Sequence, residues 1–400
     1  MVTAVAAMPS FGASKATAAA SASESGPPER ATTTEAGRDV SSAARTARRT
    51  SATAGSRLGR TGTRSRYRRT ARLDECMLTD RPLSELRTFQ SDVEDPADFD
   101  DFWVQTLHEA AERATPTVLE TVETGMRRVN VSDVTFSGYA GDPVRAWLVT
   151  PVGAEESLPV VIEYAGYGSG RGRPINHLWA AASGWAHLVM DVRGQGAGRG
   201  SAVGSTPDPH GSAPAHPGVM TRGIEDPRTY YYRRLLTDAV RAVDVARDLP
   251  GIDPDRVAVV GGSQGGAQAI AAAALRPDVS AAVAFVPFLS DTARATLITD
   301  AAPYSEIAGY LTSQRSRVEQ VARTLSYVDG VNFARRVRTR IHYSVALMDP
   351  ICPPSTVFAG FNANASENKT IEVWPYNGHE GGGPEDRERA IEVIAESFAA

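Results

Sequence analysis

Residues 257–275 read VAVVGGSQGGAQAIAAAAL. The apolar run Val257 to Val260 has the composition of a short buried strand, and Gln264 to Leu275 that of a helix rich in Ala. Only Gly261, Gly262 and Ser263 separate the two, so the chain must reverse sharply. In so tight a turn, side chains at Gly261 and Gly265 would strike neighbouring backbone. The G-x-S-x-G spacing in a strand-turn-helix context therefore expects Ser263 to be held on a strained turn, with its oxygen exposed above a sheet. The motif alone is a modest signal that its strand-turn-helix context strengthens, and the bland reading is a glycine-rich turn carrying an ordinary Ser.

Further apolar runs lie to either side. They are Pro159 to Tyr164 (PVVIEY), His187 to Val192 (HLVMDV), Ala281 to Phe285 (AAVAF), Ile341 to Leu347 (IHYSVAL) and Ile371 to Tyr376 (IEVWPY). Helical stretches separate several of them, one marked by Leu236, Val240, Val243 and Arg247 on a common face. Short apolar strands alternating with helices imply an α/β fold whose central sheet is mostly parallel and covered on both faces. Functional loops then belong at the carboxyl ends of the strands. Upstream, Leu83 to Phe89 and Pro96 to Ala114 read as helices, the second with Phe99, Phe102, Trp103 and Leu107 at helical spacing. Val129 to Phe136 and Val144 to Thr150 alternate as a strand pair joined near Gly141-Asp142. Asp291 to Arg340 lacks a strand run and reads as a helical insertion before the IHYSVAL strand.

A strained Ser becomes chemically informative if an acid and then a His follow it, each after a later strand. Asp349 follows IHYSVAL, and His379 follows IEVWPY within Asn377-Gly378-His379-Glu380. None of the other six histidines follows a strand after Asp349. In that arrangement His379 takes the Ser263 proton during attack on a carbonyl and later returns it to the leaving group, while Asp349 fixes the His tautomer. Glu380 is a competing carboxylate, but its place beside His379 suits anchoring the loop. The developing oxyanion needs preorganised donors. The turn geometry offers the Gln264 N–H, and the loop after PVVIEY, Ala165-Gly166-Tyr167-Gly168, is expected to offer that of Tyr167.

Charge is unevenly spread. Residues 1–72 hold 13 Lys and Arg against 4 Asp and Glu, leaving 29 against 43 beyond them. The acidic body argues against a nucleic-acid partner for the folded part. Residues 1–76, poor in large apolar side chains, are expected to be a disordered Ala/Ser/Arg-rich tail, with 77–400 as the catalytic domain. The tail resembles an organelle transit peptide in composition, and the alternative is that translation starts at Met77. Its Arg content would permit attachment to nucleic acid or a membrane surface. No run of 18 apolar residues is present to cross a bilayer. Cys76 and Cys352 are too few for a disulfide framework, and Cys352 reads as a buried small hydrophobe.

With these residues assembled, the chain resembles carbohydrate esterase family seven, the acetyl xylan esterases and cephalosporin-C deacetylases of the α/β-hydrolase superfamily. The resemblance runs from about Pro82 to the C-terminal helix. It is carried by Asp191-Val192-Arg193-Gly194-Gln195-Gly196, Met220 to Arg234 (MTRGIEDPRTYYYRR), Gly262-Ser263-Gln264-Gly265-Gly266, Thr324-Leu325-Ser326-Tyr327, Asp349 to Phe358 (DPICPPSTVF) and Tyr376 to Gly383 (YNGHEGGG). It implies removal of acetyl groups from xylo-oligosaccharides, sugar acetates or cephalosporin C, without metal or organic cofactor. It further implies a triad of Ser263, Asp349 and His379, an oxyanion N–H from Tyr167, and support of the active-site loops by Arg193, Gly194 and Gln195. A cytoplasmic homo-oligomer, a hexamer of paired subunits, is also implied. Where the family commonly has His-Gly-Tyr, this chain has Ala165-Gly166-Tyr167, and the missing imidazole alters the second layer of bonding there. Since fold and triad do not select the acyl donor, a serine peptidase, an amidase or another short-acyl carboxylesterase is the alternative activity. A catalytically silent binding protein is the other class, disfavoured by the complete Ser, Asp and His set.

Overall fold

The computed structural model describes residues 80–154, 156–198 and 202–400. The expected tail over residues 1–76 and the start at Met77 lie outside the described residues. Among the described residues, nine strands form one sheet. They are β1 (Val118–Thr121), β2 (Val129–Ser137), β3 (Pro143–Pro151), β4 (Leu158–Tyr164), β5 (Ala186–Met190), β6 (Ile252–Gly262), β7 (Ala281–Phe285), β8 (Arg340–Ala346) and β9 (Lys369–Trp374). The spatial order is β1-β2-β3-β5-β4-β6-β7-β8-β9. Pairing is antiparallel from β1 through β5 and parallel from β5 to β9. This is the mostly parallel sheet that the alternating pattern implies, and the fold is that of the α/β hydrolases.

The helices are α1 (Leu83–Leu86), α2 (Phe99–Glu112), α3 (Trp179–Ala182), α4 (Tyr231–Asp248), α5 (Gln264–Leu275), α6 (Thr292–Ile298), α7 (Tyr304–Ser313), α8 (Val318–Ser326), α9 (Gly330–Ala334), α10 (Pro354–Ala363) and α11 (Pro384–Phe398). Successive strand side chains point to opposite faces, so one apolar run serves two cores. Val160, Ile162, Val257 and Val259 pack with Leu236, Val243 and Ile270 of α4 and α5. Their neighbours Val161, Ala258 and Val260 pack instead with Ala390, Val393 and Ile394 of α11. This double burial explains why these strands read as continuous apolar runs.

Asp291 to Arg340 holds α6 to α9 and no strand before β8, as expected for a helical insertion. Three readings change. The expected helix from Leu83 to Phe89 is the single turn α1. β6 begins at Ile252, five residues before the apolar run, because Ile252 pairs with Leu158 across an irregularity in the ladder. β1 has no alternation to detect, since all four of its residues are exposed, and it exists through pairing with β2. Among the described residues no helix is long and apolar enough to cross a membrane.

Candidate active site

The turn between β6 and α5 has the strain its glycines imply. Ser263 sits at φ 55°, ψ −118°, a region sparsely occupied by residues with a side chain and commonly found at functional sites. A Cβ on Gly261 would lie 2.3 Å from the Gly265 carbonyl carbon, and one on Gly265 would lie 2.1 Å from the Tyr164 carbonyl oxygen. Three backbone hydrogen bonds hold the strained residue. Ser263 N–H donates to Phe285 O at 2.9 Å, and Ser263 O accepts from Ala267 N at 3.1 Å and Phe288 N at 3.0 Å.

The loops that follow β8 and β9 bring the two partners to that turn. His379 Nε2 lies 3.0 Å from Ser263 Oγ, and its Nδ1 lies 2.8 Å from Asp349 Oδ2. Asp349 is fully buried and its Oδ1 accepts from the N–H groups of Ile351 at 2.8 Å and Cys352 at 3.0 Å. The carboxylate is therefore fixed before it meets the imidazole. Glu380 accepts from Gly378 N at 3.1 Å and Asn377 Nδ2 at 3.2 Å, which ties the His loop to itself.

The Gln264 and Tyr167 amides have no protein acceptor among the described residues. Tyr167 lines the cavity of about 530 Å³ that Ser263 and His379 also line, and Gln264 follows Ser263 directly in the chain. Neighbouring side chains hold the loop bearing Tyr167. Gln195 Oε1 accepts from Gly168 N at 2.5 Å, while its Nε2 donates to Tyr231 Oη at 2.8 Å and Gln264 Oε1 at 3.0 Å. Gln264 Nε2 reaches Ala165 O at 3.4 Å and Gln268 Nε2 reaches it at 3.3 Å. With Ala165 in place of an imidazole, the loop is thus gripped through its backbone.

Arg193 lies one layer further out. Fully buried, it pairs with Asp238 through Nε at 2.5 Å and Nη2 at 2.8 Å, and reaches Asp142 at 3.1 Å and Asp208 at 3.2 Å. Burial opposes its charge, but these three carboxylates outweigh that and hold the guanidinium protonated. Its carbonyl accepts from Tyr231 Oη at 2.6 Å, so the same tyrosine joins Arg193 to Gln195. Gly194, at φ +65°, makes the bend between them in a left-handed conformation that suits glycine.

Residues 76–396 match the acetyl xylan esterase (AXE1) family. The chain belongs to this family. Among solved structures, an acetyl xylan esterase from Paenibacillus sp. R4 is 37% identical with a TM-score of 0.74, the match covering 79% of this chain and 99% of that one. Acetyl xylan esterase 1 from Thermoanaerobacterium sp. JW/SL YS485 is 32% identical with a TM-score of 0.74, covering 80% and 99%. Acetyl esterase Axe7A of Xylanibacter ruminicola is 29% identical over 302 residues, which are 72% of this chain and 64% of that relative, so the match spans a little under two thirds of its length.

Two contacts of this family member were not legible in the sequence. Glu306 of the insertion accepts from Tyr167 Oη at 2.5 Å and from Met220 N at 3.1 Å, and Tyr167 Oη accepts from Val219 N at 3.0 Å. Burial, with Glu306 beside it, pushes the Tyr167 hydroxyl well above its usual range, so the phenol remains a donor. The insertion thereby holds the Tyr167 loop. Cys352 is buried, as expected of a small hydrophobe, but its thiol also contacts the Ser263 hydroxyl. Burial, followed by the Asp349 charge, raises the thiol well above its usual range, which keeps it neutral beside the Ser. Asp349, Cys352 and His379 are the one group of metal-ligand types gathered within 4.8 Å among the described residues. Asp349 and His379 already face each other and the thiol is protonated, so the donor set as arranged suits proton transfer better than metal binding.

Proposed function

We propose that this chain removes acetyl groups from small acetylated carbohydrates such as xylo-oligosaccharide acetates and sugar acetates, or from cephalosporin C, by way of an acetyl-enzyme on Ser263. The observation that carries the reading is the Ser263–His379–Asp349 alignment at 3.0 and 2.8 Å, at an open cavity, in a member of the acetyl xylan esterase family. Its solved relatives at 37% and 32% identity are named acetyl xylan esterases.

The chemistry follows from the geometry. Ser263 Oγ attacks the acetyl carbonyl as His379 Nε2 accepts its proton, and Asp349 stabilises the imidazolium. The N–H groups of Gln264 and Tyr167 receive the oxyanion, each worth a factor of roughly a hundred to a thousand. His379 then protonates the sugar oxygen, which leaves. Water, deprotonated by His379, attacks the acetyl-enzyme and releases acetate and Ser263. In this reading Arg193 and Gln195 act as positioning residues. A homo-oligomer in the cytoplasm completes the reading, and sedimentation of the purified chain tests the assembly. Initial rates on an acetylated xylo-oligosaccharide and on an aminoacyl anilide test the acyl donor. Acetate release with no anilide cleavage is the expected result, and anilide as the better substrate would overturn the assignment.

A further inference from the structure

The cavity beside Ser263 continues past the triad to a charged cluster on the opposite face of the sheet from α4 and α5. Glu163, next to last in β4, points to the α11 side because its neighbour Tyr164 points to the α4 side, where its hydroxyl donates to Ala239 O. Arg387, in the first turn of α11, meets it there. Both residues line the same cavity as Ser263 and His379.

Each partner retains unused hydrogen-bonding capacity. Glu163 Oε2 accepts from Trp179 Nε1 at 2.9 Å and from Arg387 Nη1 at 3.1 Å, and lies 2.8 Å from His187 Nε2. Among the described residues its Oε1 has only the long 3.3 Å contact to Arg387 Nη1. Among the described residues Arg387 makes its side-chain hydrogen bonds through Nη1 alone, so Nε and Nη2 have no acceptor there. The guanidinium is held over the Trp179 ring, 4.9 Å from its centroid, and its side chain is 37% exposed. Arg–carboxylate pairs are frequently bidentate through the guanidinium fork. This one leaves an acceptor and two donors beside the cleft.

We propose that Glu163 and Arg387 form a saccharide subsite that takes adjacent hydroxyls of the sugar bearing the acetyl group. The proposal rests on the deacetylase reading above and names the part of the substrate held beyond the ester. A vicinal diol presents one hydroxyl as donor to Glu163 Oε1 and the next as acceptor from Arg387. The carboxylate and guanidinium offset each other's charge, which favours an uncharged polyol over an anion. Burial would raise the Glu163 carboxyl, but His187, Arg387 and Trp179 outweigh it and hold it well below the usual range, so the acceptor stays ionised.

The test compares wild type, Arg387→Met and Arg387→Lys, with Glu163→Gln as a second site, on acetylated xylobiose and on p-nitrophenyl acetate, whose leaving group has no diol. The expected result for Arg387→Met is a fall of about ten-fold or more in the ratio of kcat/KM on the saccharide to that on p-nitrophenyl acetate, carried by KM. Arg387→Lys is expected to recover part of it, because it keeps the charge without the fork. A ratio that stays at the wild-type value, or rates that fall in parallel on both esters, overturns the subsite alone. Wild type that cleaves p-nitrophenyl acetate but not the saccharide overturns the subsite together with the substrate reading. Circular dichroism of each variant identifies a folding defect, and Arg387, with its partly exposed side chain, is the substitution least exposed to one.

Discussion

Replacing Gln195 by Ala removes one side chain and three hydrogen bonds. Gly168 N–H loses its 2.5 Å acceptor, Tyr231 Oη loses a donor at 2.8 Å and Gln264 Oε1 loses one at 3.0 Å. Tyr231 retains its bond to the Arg193 carbonyl and Gln264 its bond from Tyr232, so the lasting vacancy is at Gly168, one residue past the Tyr167 amide. A half-buried donor left unpaired costs about 1–3 kcal/mol, enough for the loop to seek another conformation. Complete loss of one oxyanion donor is worth roughly a hundred to a thousand-fold, which bounds the effect from above. Misplacement of the Tyr167 donor is therefore expected to lower kcat on p-nitrophenyl acetate by about ten- to a hundred-fold, or about 1.4–2.7 kcal/mol of barrier, with a smaller change in KM. Steady-state kinetics measure this, with urea denaturation run alongside to separate loss of fold from loss of rate. A Gln195→Ala protein that is folded and retains wild-type kcat would refute the idea that Gln195 sets the position of the Tyr167 loop.

Three other substitutions probe different layers. Gly265→Ala places a Cβ 2.1 Å from the Tyr164 carbonyl oxygen, so activity and soluble yield should both fall sharply, and wild-type activity in this variant would contradict the account of the turn. Arg193→Met strands the buried Asp238 carboxylate and is expected to lower unfolding free energy by about 3–5 kcal/mol in urea titrations. Asp329 is buried, and burial, partly offset by N–H bonds from Thr292, Val331 and Asp291, raises its carboxyl to about 6 from an ordinary 3.8. Because the folded value is the higher one, this group favours the folded state below pH about 4 and loses that contribution as pH rises through about 6, a change on the order of 3 kcal/mol. The unfolding free energy of Asp329→Asn minus that of wild type should accordingly rise between those two pH values, and a constant difference would show that the Asp329 carboxyl titrates normally.

Residues on regular elements were the legible ones. VAVVGGSQGG displays strand, turn and helix in ten consecutive residues, and the double burial of β4 and β6 to β8 makes those strands continuous apolar runs. Asp349 and His379 were found from position, since each lies just past a strand whose pattern is visible. Signals that depend on contacts across the fold were not legible. Glu306 is one acidic residue in a helical insertion, and only packing brings it to Tyr167. Glu163 and Arg387 lie 224 residues apart, and nothing local pairs them. β1 carries no pattern because none of its residues is buried. Arg193 and Gln195 stood out only as part of a motif, and the structure supplies the reason, which is one buried ion cluster and one amide joined through Tyr231.

The most direct measurement is the single-turnover and steady-state rate of Ser263→Ala on p-nitrophenyl acetate, with circular dichroism to establish the fold. The account predicts a folded protein whose kcat is lower by on the order of a million-fold. A folded Ser263→Ala protein that hydrolyses the ester at a rate near wild type would contradict it.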